Sequence, residues 1–246
     1  MNIISRKTSK NDSNDFITKA YNDPNISGIT LDITMTSDEK IVIFEGPASF
    51  VAEVESIQKQ TLEQIKDSET MLLETYLTKL KGFNKRIMLN IFPLELPYLS
   101  DETVQYIVNR TNNYIDKLLE VIDKYPQLNI VLFTYNQILI TLLKNRNTKY
   151  KIGWLINQTG SSYIDLDIYI FQTYLLNQAV LLQQIDEKKE IMAYITDSDS
   201  INSFMNFFKD KNNDLKKARI FEDISVITYY PDIFINSYKL VPNLDK

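Results

Sequence analysis

The sequence predicts an α/β protein, a single (β/α)8 TIM barrel spanning residues 1–246, and three features lead there. Short apolar runs alternate with longer segments of helical periodicity, the pattern of parallel strands joined by crossover helices. Eight such runs begin near residues 2, 28, 86, 129, 151, 164, 190 and 224, and a barrel of this kind commonly occupies about 250 residues as one domain. Several runs are apolar almost without a break, RIMLNIF at 86–92 most clearly, as expected of strands buried on both faces.

Taken in order, Asn2–Arg6 reads as a first buried strand, and DFITKAY as a helix capped by Ser13 or Asn14 and closed by Asp23-Pro24-Asn25. Gly28–Glu45 reads as two strands joined at Ser37-Asp38-Glu39. In the first, Ile29, Leu31 and Ile33 alternate with Thr30, Asp32 and Thr34. Such alternation alone fits a half-solvated edge strand; as second strand of a barrel, its polar face would turn to the barrel mouth. Glu45-Gly46-Pro47 is a break. Residues 49–81 follow a helical pattern interrupted near Asp67-Ser68, and from Glu69 to Lys81 the residues Leu72, Leu73, Tyr76, Leu77 and Leu80 fall on one face.

Pro93 and Pro97 end the strand at 86–92. A long helix then runs from Ser100 to about Lys124, its acidic first turn suited to the helix dipole. A strand at 129–135, a helix at 136–146, strands at 151–157 and 164–171 and a helix near 173–186 follow. The series closes with a strand at 190–196, a helix near 199–209 and a strand at 224–230. There is no internal repeat, low-complexity tract or domain linker.

Composition narrows the chemistry. The chain has no cysteine and no histidine. Disulfides, thiolate catalysis and thiolate metal sites are excluded, as are serine–histidine and cysteine–histidine relays. General acid–base work near neutrality loses its usual side chain. Any hydrolysis must rest on carboxylates, lysine, tyrosine or a hard cation held by oxygen. The net charge of −5, with signs interleaved, argues against nucleic acid as a partner. No apolar run reaches membrane-spanning or signal-peptide length, so the default expectation is a soluble cytoplasmic protein; a protein partner is left open.

A barrel gathers its chemistry at the C-terminal ends of its strands. The residues expected there are Ser5, Arg6, Thr30, Asp32, Asn90, Thr134, Trp154, Asn157, Asp167, Tyr169, Thr196, Asp197 and Thr228. Of these, Asp32, Asp167 and Asp197 are acidic, and each fits a capping or loop position before it fits a metal ligand.

The series Ser5-Arg6-Lys7, Asn14–Tyr21, Gly28-Ile29-Thr30-Leu31-Asp32-Ile33, Thr36-Ser37-Asp38-Glu39 and Val42–Gly46 continues through Asn90-Ile91-Phe92 and Lys151–Leu155. It ends with Ala193–Asp197 and Ile227-Thr228-Tyr229-Tyr230-Pro231. In order and spacing, over nearly the whole chain, these segments resemble the glycerophosphodiester phosphodiesterase family, a group of phospholipase C-like phosphodiesterase barrels. The resemblance implies that family's fold. In the family, two histidines serve as acid and base, while two glutamates and an aspartate hold a divalent cation.

The departures fall on the chemistry. The histidine positions read Ser5 and Glu45, and the glutamate positions read Thr30 and Asn90. Asp32 keeps a metal-ligand type, as a vestige, and Arg6 keeps a guanidinium able to meet a phosphate oxygen. The expectation is therefore a catalytically inactive homologue, a pseudoenzyme with no catalytic residues and no cofactor, retained as a binding or structural barrel for a small anionic or phosphodiester ligand. The alternative is a metal-dependent phosphoric diester hydrolase of lipid metabolism, with Asp32, Glu45 and Asp197 or Asp167 around Mg2+ or Ca2+. A third reading is an unrelated barrel that converged on the same pattern.

Overall fold

The computed structural model describes residues 2–6, 13–44, 51–65, 70–94, 101–158, 164–177, 179, 188–209 and 224–239. Its strands are β1 (Asn2–Arg6), β2 (Ile26–Met35), β3 (Ile41–Phe44), β4 (Met71–Leu72), β5 (Arg86–Ile91), β6 (Ile130–Thr134), β7 (Lys151–Ile156), β8 (Ile168–Gln172), β9 (Glu190–Ile195) and β10 (Ser225–Thr228). Its helices are α1 (Ser13–Asn22), α2 (Val51–Lys59), α3 (Leu73–Lys79), α4 (Asp101–Asp123), α5 (Gln137–Asn145), α6 (Ser198–Lys209) and α7 (Pro231–Lys239), with one 3-10 turn at Thr173–Leu175.

Eight of the strands close on themselves. The order β1-β2-β5-β6-β7-β8-β9-β10 is parallel throughout, and β10 pairs back onto β1. This is the (β/α)8 barrel predicted, built from the eight runs expected. Closure leaves no free edge among these strands. The stretch 40–44 is the extra hairpin partner. As β3 it pairs antiparallel with the far end of β2, Asp32 facing Phe44, and passes the sheet on to β4.

Side-chain alternation divides the interior into two cores. Ile29, Leu31, Ile33, Ile87, Leu89, Leu132, Trp154, Tyr169, Ala193 and Val226 point out to the helices and join the large outer core. Ile4, Met88, Val131, Phe133, Leu155, Ile168, Ile170, Met192, Tyr194 and Ile227 fill the barrel itself. The outer core is closed by helical faces at the expected spacing, with Tyr114, Ile115, Leu118 and Ile122 on α4 and Leu139, Ile140 and Leu143 on α5. Asn136 caps α5 by accepting from Ile138 N and Leu139 N at 3.0 and 3.1 Å.

A third, small core lies over the β2–β3 hairpin, where Val42 and Phe44 meet Val54 and Ile57 of α2. Gln58 fastens it by donating to Thr34 Oγ1 and to the Pro93 carbonyl at 2.8 and 2.9 Å. Arg110 of α4 donates to the carbonyls of Thr36 and Gln58.

The structure corrects four details of the sequence reading. The helix expected from Glu69 begins at Leu73, because Met71 and Leu72 pair with Ile43 and Val42 as β4. The alternation at 164–171 belongs to the strand only from Ile168. The Tyr169 hydroxyl donates to Ile164 O and accepts from Leu166 N, both at 2.8 Å, and holds the preceding residues outside the strand. The β2 strand is no half-solvated edge: Thr30, Asp32 and Thr34 are all buried, at the closed centre of the sheet. The helix expected at 173–186 opens with the 3-10 turn, and residues 180–187 lie outside the described residues, as do Glu45-Gly46-Pro47 and Asp67-Ser68.

Candidate functional site

Strand register assembles the barrel mouth. In the parallel ladder β1–β2, Arg6 lies beside Thr30, and in β2–β5, Asp32 lies beside Asn90. All four share the inward parity of Ile4 and Met88, so their side chains converge above the apolar filling of the barrel. Arg6 Nη2 donates to Asp32 Oδ2, and Asn90 Nδ2 donates to Asp32 Oδ1 at 2.8 Å. Arg6 is 2% exposed, Thr30 1%, Asp32 6% and Asn90 2%.

Two tyrosines flank the guanidinium. Its Cζ lies 4.5 Å from the ring centroid of Tyr229 and 5.4 Å from that of Tyr194, within cation–π range. Phe44, Phe92 and Tyr135 form an aromatic chain at the hairpin side of the mouth, with centroids 5.0 and 6.1 Å apart. Sequence reasoning did not assign Tyr194 or Tyr229 to the site. The signal was the parity of β9, which puts Tyr194 on the face of Met192.

The pair is not saturated. Among the described residues, Arg6 Nε and Nη1, Thr30 Oγ1, Asn90 Oδ1 and the Tyr194 hydroxyl are buried without a hydrogen-bond partner. Buried polar atoms are usually paired, and these five lie together at the barrel mouth.

The remaining expected residues scatter. Ser5 has the outward parity of Ile3 and borders a cavity of about 620 Å³ between α1 and the start of α7, which Arg6 and Tyr229 also line, together with Phe16, Lys19 and Tyr230. Trp154, expected at the mouth, is buried in the outer core. Asp167 precedes β8 and so sits at the foot of the barrel, beside a smaller cavity with Lys144 and Lys189; its place at the mouth is thereby corrected. Tyr169 is likewise an outer-core residue. Thr134 and Thr228 accept from the backbone N–H two residues on, at Asn136 and Tyr230. Asn157 lends its carbonyl to the Tyr174 hydroxyl at 2.6 Å.

Asp197 caps α6, accepting from Ser200 N at 2.7 Å and from Thr196 Oγ1 at 2.9 Å. These bonds, led by the Ser200 backbone N–H, hold its carboxyl below the usual carboxylate range. Glu45 lies outside the described residues.

A divalent cation is implied by the family resemblance, and the described residues do not fit one. Both oxygens of Asp32 already accept N–H donors, one of them from a full positive charge in contact. Thr30 and Asn90 would add only neutral oxygens, whereas hard dications need carboxylates to balance their charge. Among the described residues, no group of three or more Asp, Glu, His or Cys is placed to hold a metal ion. No described helix is long and apolar enough to cross a membrane.

No protein-family model matches the chain, and no curated protein matches it. Solved structures do. A phosphodiesterase from Oleispira antarctica, in complex with the product sn-glycerol-3-phosphate, superposes with a TM-score of 0.67 at 11% identity, covering 97% of both chains. A glycerophosphodiester phosphodiesterase from Parabacteroides distasonis gives 0.66 at 11% identity over 96% of each chain. One from Thermotoga maritima gives 0.61 at 15% identity, over 96% of this chain and 97% of its own. The fold is thus the glycerophosphodiester phosphodiesterase-like TIM barrel.

Proposed function

We propose that this chain, whose fold is that of the glycerophosphodiester phosphodiesterases, is a catalytically inactive homologue of them, retained as a binding barrel. The observation that carries this reading is the Arg6–Asp32–Asn90 network. It engages both oxygens of the one carboxylate that matches the family's metal set. Histidine is absent from the whole sequence, so nothing replaces the family's acid–base pair at its accustomed pKa.

The ligand of such a barrel is small, and a phosphodiester or another small anion suits it. Arg6 Nε and Nη1 are buried donors without partners among the described residues, and a guanidinium edge matches phosphate oxygens. The neighbour from Oleispira antarctica holds a phosphate monoester as its product, which favours ligand chemistry of this kind.

The test is release of alcohol from glycerophosphodiesters by the purified protein, with Mg2+, with Ca2+ and with chelator. None is expected in any of the three. Metal-dependent turnover that disappears in Asp32→Ala overturns the proposal.

A further inference from the structure

We propose that the cavity between α1 and α7 is part of the ligand site, and that the ligand is a small anion carrying an apolar arm. The anion meets Arg6, and the arm lies outside the barrel wall, against the two helices. The inference rests on the reading of the chain as a binding barrel, and goes beyond it by naming the arm and its place.

Three observations carry it. First, Arg6 belongs to two places at once. It donates to Asp32 inside the mouth, and it also borders the cavity of about 620 Å³ on the outer side of β1, with Tyr229 beside it. Its Nη2 serves the carboxylate, while Nε and Nη1 are buried and unpartnered among the described residues. A guanidinium presents its N–H donors in a fixed fork, so one acceptor does not exhaust it.

Second, the cavity is polar at one end and apolar along its length. Ser5, Arg6 and the first turn of α7 border it near the mouth, where a helix start favours negative charge. Phe16, Ala20 and Ile26 line it toward the foot, and Ile233 flanks it on α7. Two carboxylates border it as well. Asp232 is exposed on α7, and Asp23 lies beyond the far end of α1, where its Oδ1 accepts from Asn25 N and Nδ2 at 2.8 and 2.9 Å. A bare phosphate would leave most of this space empty, whereas an anion with an apolar arm matches both ends.

Third, the walls are fixed. Lys85 donates to the carbonyls of Ala20 and Asp23, both at 2.7 Å, and so ties down the end of α1. On α7, the buried Phe234 packs edge-on against Phe204, with ring centroids 5.3 Å apart. The cavity is preformed, and binding need not first order its walls.

The experiment measures binding to the full chain by isothermal titration calorimetry. The probes are 1-naphthyl phosphate, octyl phosphate, glycerol phosphate and inorganic phosphate. The naphthyl ester, the octyl ester or both are expected to bind about tenfold tighter than glycerol phosphate, because the arm buries apolar surface. Inorganic phosphate is expected to displace the tighter ester, since the two share the position at Arg6. Phe16→Ala is expected to cut the ester's advantage about threefold or more and to leave glycerol phosphate affinity within about twofold. Should Phe16→Ala fail to fold, Ile233→Ser, at an exposed position, is read in its place.

Equal affinity for all four probes overturns the inference and leaves the small-anion reading standing. An advantage of the esters that the folded variant does not reduce, or that inorganic phosphate does not displace, has the same meaning. Absence of binding by every probe ends both. Turnover of a glycerophosphodiester, by contrast, removes the proposed inactivity and leaves this inference standing.

Discussion

Arg86 and Glu190 meet across the foot of the barrel. They stand at the first positions of β5 and β9, strands four places apart in a ring of eight and therefore on opposite sides. Arg86 Nη1 donates to Glu190 Oε1, and Nη2 to Oε2 at 3.4 Å, so the contact is a two-point one. It closes the barrel below the apolar layers, as the Arg6–Asp32 pair occupies the top.

The half-buried, bidentate pair is expected to contribute more than an exposed one. Glu190→Ala should lower stability by about 1–2 kcal/mol, since it leaves the guanidinium facing the barrel without its acceptor. Denaturant unfolding checks it, with Arg86→Ala and the double variant completing a cycle that isolates the pair.

Gly28 lets β2 approach β5 closely. A Cβ at this position would sit 2.4 Å from the Arg86 carbonyl oxygen and 2.9 Å from Ile4 Cδ1. The first of these is backbone and cannot swing aside. Gly28→Ala should therefore cost about 1–3 kcal/mol, as overpacking does, and thermal unfolding should show it.

Asp197 caps α6 and is held ionised by that role. A carboxyl with a lowered folded-state pKa stabilises above its ordinary value of 3.8, and that contribution fades as the pH falls through the lowered folded value. Asp197→Ala should cost about 0.5–2 kcal/mol near neutrality. The gap between variant and wild type should close in acid, below pH 3.8, as seen in unfolding midpoints measured against pH.

Tyr76 is buried on α3, and its hydroxyl finds no partner among the described residues. Burial pushes its pKa up, so the group stays neutral. Removing a hydroxyl that makes no bond forfeits little. Tyr76→Phe should leave stability unchanged or raise it by up to about 1 kcal/mol, a result that differential scanning calorimetry can read.

Most of the barrel was legible because each of its strands is a local apolar run. β4 was not. Met71-Leu72 carries the face of a helix in sequence, and only its long-range pairing with Val42 and Ile43 makes it a strand. Asp167 misled for a related reason, since IDLD alternates as a strand does while the Tyr169 hydroxyl holds it out of the strand. At the mouth, the residue types at positions 6, 30, 32 and 90 were readable. That Arg6 is bound to Asp32 was not, because the contact spans 26 residues of sequence and depends on barrel closure and register. The sequence showed which residue types stand at the mouth; the fold shows that Arg6 and Asn90 both donate to Asp32.

The most direct test of a barrel without the family's reaction follows a glycerophosphodiester by phosphorus NMR in the presence of the wild-type protein and Mg2+ or Ca2+. An unchanged diester signal is expected throughout the time course. Growth of a phosphomonoester signal that requires the metal and stops in Asp32→Ala would contradict it.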